Sequence, residues 1–102
     1  MKFLLIRKPL HFRGGPAPTS KTIRAHKQYA LDALKRGTLD CLYAFAGGQG
    51  SVSIINANSA EELNERIMET PLFLDSEFEV HPLGDFSKYM DEVAAVLEKA
   101  GR

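Results

Sequence analysis

The sequence predicts an α+β domain in which helices cover one face of a four-stranded sheet, and three observations carry that expectation. Apolar residues switch between strand-like and helix-like spacing in the order strand, helix, strand, strand, helix, strand, helix. The first and third strands are apolar at consecutive positions, so both of their faces are covered and they belong in the middle of the sheet. The stretch from Gly47 to Leu83 reads without a break as glycine turn, apolar strand, capped helix, proline stop and second strand.

The first strand spans residues 2–8, with Phe3, Leu4, Leu5 and Ile6 apolar in succession, and ends at Pro9. That run of four is shorter than the roughly 7–15 apolar residues of a secretory leader, so it reads as a strand. LHFRGGPAPTS follows as a connecting loop by its glycine and proline content, or as a flap over a site. Thr19 or Ser20 caps a helix running to about Arg36, where Lys35 and Arg36 suit the negative end of the dipole and Gly37 supplies the stop. Ile23, Ala30, Leu31 and Leu34 form its apolar stripe, with Lys27 inside the stripe and His26 on its edge.

Residues 38–46 make the second strand, with Leu39, Cys41, Tyr43 and Phe45 expected on one face by the period-two rule. Gly47, Gly48 and Gly50 then form a hairpin loop; a phosphate cradle would need a helix immediately after it, and a strand follows instead. Residues 51–57 are the third strand. Ser59 and Glu62 form a capping box for the next helix, which carries Leu63 and Ile67 inward and stops before Pro71. Residues 76–82 alternate Phe78 and Val80 against Glu77, Glu79 and His81, the pattern of a half-covered edge strand. Asp85 or Ser87 opens a last helix to about Ala100, with Phe86, Tyr89 or Met90, Val93, Val96 or Leu97 and Ala100 on one side.

The first six elements make the split β-α-β, ferredoxin-like βαββαβ pattern, with an extra C-terminal helix. Helices can cover only one side of such a sheet, yet the inner strands are apolar on both. A second copy of the chain is therefore expected on the other side, as a homodimer or higher homo-oligomer. Length supports the same view, since 102 residues make one small domain that buries only about two-thirds of its unfolded surface.

Charge and cysteine usage exclude several classes. Thirteen basic residues balance thirteen acidic ones, which argues against nucleic acid and anionic lipid as partners. No stretch approaches membrane-spanning length, so a cytoplasmic protein is expected. The lone Cys41 cannot close an internal disulfide and reads as a small apolar strand residue. Histidines at 11, 26 and 81 lack paired spacing, so no metal site is expected. No nucleophile elbow is visible.

Tyr43-Ala44-Phe45-Ala46-Gly47-Gly48, Val52 to Asn56, Ser59-Ala60-Glu61-Glu62-Leu63, Pro71-Leu72-Phe73 and Glu79-Val80-His81-Pro82-Leu83 together resemble the muconolactone isomerase-like family. The likeness covers about the C-terminal two-thirds of the chain. It implies a dimeric α/β barrel, in which two ferredoxin-like sheets close against each other, and an enzyme of aromatic catabolism. Such an enzyme moves a double bond within an unsaturated lactone without metal or organic cofactor. His26 and Asp40 also resemble the histidine–aspartate pair of the YCII-related proteins, which share this fold.

A double-bond shift of that kind needs a base to take a proton beside a carbonyl and return it further along, and a donor for the enolate oxygen that appears meanwhile. His26 is the first candidate for the base, or else a surface histidine. Tyr43 is the candidate oxyanion donor, or else a core aromatic. Lys27 either meets a substrate carboxylate or lets its stem snorkel to water. Phe45 and Phe73 are candidates for lining the substrate. Glu79 and His81, two apart on one strand face, could pair as acid and base or simply keep an edge soluble, and Arg7, His11 and Arg13 could recognise an anion. The expectation is a cofactor-free isomerase acting on a small unsaturated acid or lactone. The alternatives are a non-catalytic ligand-binding or oligomeric interaction protein and a cofactor-independent monooxygenase.

Overall fold

A computed structural model describes the backbone of residues 1–102 and every side chain except those of Phe12 and Arg13, so the reading of Arg13 lies outside the described residues. Strands β1 (Lys2–Pro9), β2 (Leu39–Ala44), β3 (Ser51–Asn56) and β4 (Ser76–Leu83) alternate with helices α1 (Ser20–Arg36), α2 (Ala60–Met68) and α3 (Phe86–Lys99). The stretch read as loop after β1 opens with a short 3-10 turn, Leu10–Arg13. The sheet runs β2-β3-β1-β4, and all three strand pairs are antiparallel. The doubly apolar strands β1 and β3 are thus the inner pair, as their sequences require.

Local chemistry sets the helix ends. The Thr19 hydroxyl accepts from the Thr22 amide at 3.2 Å, and Gly37 closes α1 in the left-handed conformation at φ 80°. Ser59 caps α2 by accepting from the Glu62 amide at 3.1 Å. The returning half of the box differs from the sequence expectation: Glu62 Oε2 accepts from the Asn58 amide at 2.9 Å, one residue before the cap. The other oxygen of Glu62 pairs with Arg66 one turn on, so the carboxylate bridges the entry to α2 and its second turn. Asp85 opens α3 by accepting from the Lys88 amide at 2.7 Å.

The second strand departs from simple alternation. Its register with β3 shifts between Leu39 and Cys41, a β-bulge around Asp40. Asp40 is held there by Lys2 and by the Asn56 amide, which donates to Asp40 at 2.7 Å and to the Gly37 carbonyl at 3.0 Å. The extra residue inverts the pattern: Leu39 pairs with Ile55 on the helix side, while Cys41 and Tyr43 pair with Ile54 and Val52 on the other. Leu42 and Ala44 take the inward places.

Phe3, Leu5, Ile55, Ala57, Leu63 and Ile67 form the core between sheet and helices. Leu4, Ile6, Val52 and Ile54 face away from them, only half-buried and with no helix above. Helix α3 does not fill that role within the chain. All of its residues but Val93 are exposed, Phe86 at 75% and Val96 at 67%. The molecule is accordingly long, 59 × 31 × 25 Å, with a radius of gyration of 17.2 Å where a compact chain of this length has about 13 Å. No helix is long and apolar enough to cross a membrane among the described residues.

Candidate functional site

Small side chains on α1 open the site. Ala30 and Ala33 are the residues of α1 that are buried, and their short side chains let the helix lie close to the sheet. One turn before Ala30, His26 is carried to the end of the helix–sheet layer where β1 and β3 pair through Arg7 and Ser51. Arg7 follows Phe3 and Leu5 by steps of two, so the alternation that buries those residues also turns its guanidinium under α1.

His26 and Arg7 sit together at the junction of two adjoining cavities. An inner one of about 50 Å³ runs between α1 and the sheet past Leu5, Tyr29, Ala33, Ser53 and Phe78. An outer cleft of about 280 Å³ is bounded by Arg7, His26, Lys27, Leu31, Leu42 and Ser51. The inner space has room for a few waters at most; the outer cleft has room for a small ring acid. Charged groups on the two linings are cationic: Arg7, Lys27 and Arg66, with no carboxylate among the described residues. Arg66 is already matched by Glu62.

Both key side chains carry unused hydrogen-bonding capacity. His26 Nδ1 and Arg7 Nε are buried with no partner among the described residues, while Arg7 is steadied from β4 by donating from a terminal nitrogen to Ser76 Oγ at 3.1 Å. Burial pushes the basicity of His26 down and the nearby Arg7 charge pushes it further, so the imidazole is neutral at physiological pH. Burial alone lowers the pKa of Arg7. Tyr29 is spoken for, its phenol donating to the Arg66 carbonyl at 3.2 Å. The site therefore offers a neutral proton acceptor beside a half-buried, partly unsatisfied cation, in an apolar cleft.

The residues singled out from sequence are distributed unevenly around this cleft. His26 lies at its centre and Lys27 at its rim, the latter exposed rather than sunk in the apolar stripe. Tyr43 is 68% exposed on the opposite face of the sheet, turned there by the β2 bulge, so within one chain it cannot share a substrate with His26. Phe45 lies beyond the end of β2, where its amide donates to the Gly50 carbonyl at 2.9 Å. Phe73 stacks on Phe78 with ring centroids 6.2 Å apart and packs against the core, outside both linings. Asp40 is bound to Lys2 and Asn56 and lines neither cavity. Glu79 and His81 do pair, at 2.7 Å, but on the uncovered face opposite Ile6 and Leu4. Arg7 carries more of the site than its place among the anion candidates suggested.

Comparison with known proteins bears on what such a cleft is for. Residues 13–88 match the model of the family described as muconolactone delta-isomerase. The chain belongs to that family. A crystal structure of muconolactone isomerase superposes with a TM-score of 0.71 and 27% identity, covering 83% of this chain and 90% of that one. The 5-chloro-2-hydroxyhydroquinone dehydrochlorinase of Burkholderia phenoliruptrix AC1100, solved with 2,5-dihydroxybenzoquinone, superposes with a TM-score of 0.64. At 21% identity, over 86% of this chain and 98% of that one, it shows a shared fold. No curated protein matches the sequence. The ferredoxin-like fold and the family expected from the sequence are those found, and together they support a small-molecule catalytic role on this scaffold.

Proposed function

We propose that the chain is a cofactor-free isomerase that shifts a proton on a small unsaturated acid or lactone, working as a cytoplasmic homodimer or larger homo-oligomer in the breakdown of aromatic acids. The observation that carries this reading is the placement of a neutral, half-buried His26, with an unpartnered ring nitrogen, at the junction of an apolar cleft lined by cations. Neutral imidazole takes the proton from the carbon beside the substrate carbonyl; the electron pair left behind moves into the carbonyl, giving an enolate. The imidazolium then returns the proton at the far carbon of the conjugated system, the double bond settles in its new position, and His26 is neutral again. No atom is gained or lost, which is why no cofactor is required. The cationic lining stabilises the enolate oxygen, and the low-dielectric walls strengthen that interaction.

The dimer rests on separate observations. The face bearing Leu4, Ile6, Val52 and Ile54 is uncovered in the protomer, and an amphipathic α3 stands away from its own body. A second copy satisfies both. Isomerisation is tested by following the double-bond shift of carboxylate-bearing unsaturated lactones by NMR with wild-type protein and His26→Gln. Wild type is expected to turn over at least one of them, and the variant to be slower by about 10²–10⁴-fold. Equal rates would remove His26 from the chemistry, and no turnover of any lactone would remove the isomerase reading.

A further inference from the structure

We infer that Arg7 is the anchor for the substrate's carboxylate and that His26 becomes a competent proton acceptor only when that carboxylate is in place, so the base is switched on by its own substrate. The inference rests on the isomerase reading of the same cleft and specifies how that cleft selects and activates.

The geometry is the first ground. Arg7 and His26 are shared by both cavities, and Arg7 is the one cation of the lining that is neither at the rim nor neutralised by a carboxylate among the described residues. Its guanidinium is tied at one terminal nitrogen to Ser76, while Nε is buried and unpaired. A buried donor left unpaired costs free energy that an incoming carboxylate recovers through a short, charge-assisted bond. Lys27 reaches the same cleft from an exposed position; it can attract an anion but, being solvated, gains less from holding one.

Electrostatics is the second ground. The charged or titratable groups that face His26 are Arg7 from β1, Lys27 and Tyr29 on its own helix and, across the inner cavity, the Glu62-paired Arg66 of α2; β2, β3 and β4 contribute none. In the empty cleft the unneutralised Arg7 opposes a charge on the imidazole. A carboxylate on Arg7 cancels that opposition and, because linkage is reciprocal, is itself held more tightly once His26 is protonated. A neutral molecule of the same shape does neither. The cleft therefore takes carboxylates, and activates only towards them.

The test follows the ring C–H resonances of His26 by NMR titration, assigned by their loss in His26→Gln, with His11 and His81 as internal references. The probes are crotonate and its uncharged isostere crotonamide. Crotonate is expected to raise the titration midpoint of His26, and crotonamide to leave it in place. In Arg7→Met the midpoint of the free protein should already be raised, and crotonate should bind roughly 10- to 100-fold more weakly without moving it further. Should Arg7→Met fail to fold, the wild-type comparison of the two probes decides alone. An unmoved midpoint in crotonate, or the same response to both probes, overturns the inference with the isomerase reading intact. A His26→Gln protein of undiminished turnover would overturn that reading instead and leave the titration result standing.

Discussion

Replacing Ile54 with glutamate places a carboxylate in the middle of the uncovered sheet face, between Leu4 and Cys41. Ile54 is already half-buried by its strand neighbours. Full burial of such a side chain is worth about 1.5–3 kcal/mol, so the half left for a partner to cover contributes about 1 kcal/mol. In a two-fold assembly each substitution occurs twice, giving about 2 kcal/mol of lost burial. Taking two carboxylates out of water adds at least as much again, so the dimer is weakened by at least about 4 kcal/mol, roughly a thousand-fold. The protomer itself, with this face open to solvent, loses only about 1 kcal/mol. Sedimentation velocity over a dilution series, with circular dichroism to confirm the fold, measures both. A folded wild-type monomer, or a variant that dimerises as tightly as wild type, would refute the argument.

Other perturbations probe the fold and the site separately. Ser59→Ala removes the cap of α2 and should cost about 1 kcal/mol, seen as a thermal midpoint lower by about 4–8 °C. Gly50→Ala should cost at least about 2 kcal/mol in chemical denaturation, because at φ 116° a new Cβ would lie 1.9 Å from the Arg7 carbonyl oxygen. Stability should fall as pH drops through about 6.5, since His26 is harder to protonate in the folded chain than in the unfolded one, which then binds more protons. The fall should level off below the folded midpoint and vanish in His26→Gln. A second, separate loss is expected as pH falls from the ordinary carboxylate range, where the unfolded chain takes up protons first. It should level off only once the carboxyls of Asp40, Glu62 and Glu79, held below that range in the folded chain by hydrogen bonds to Lys2, Arg66 and His81, are protonated as well.

Much of this architecture is legible in the sequence because its signals are local. Caps, glycine stops and the doubly apolar runs of β1 and β3 each act within a few residues, and the inner position of those strands follows directly. The β2 bulge is different. Asp40 is held out of register by Lys2 and Asn56, distant in sequence, and one extra residue is enough to send Tyr43 to the far face and bring Leu42 inward. The amphipathic stripe of α3 was visible too, but a stripe records that a face is to be covered, not which molecule covers it. His26 could be placed near the crevice from its edge position on α1. Arg7 had a usable signal, since counting by two from Phe3 and Leu5 lands on it, but reading it with the loop basics concealed that β1 carries it under the helix.

Proton transfer by His26 in the cleft beside Arg7 is tested most directly by the pH dependence of kcat/KM for a carboxylate-bearing unsaturated lactone. An acid limb is expected with a midpoint below the ordinary histidine value, where burial and Arg7 hold His26, and it should disappear in His26→Gln along with most of the rate. The same limb at undiminished rate in His26→Gln would contradict that role for His26.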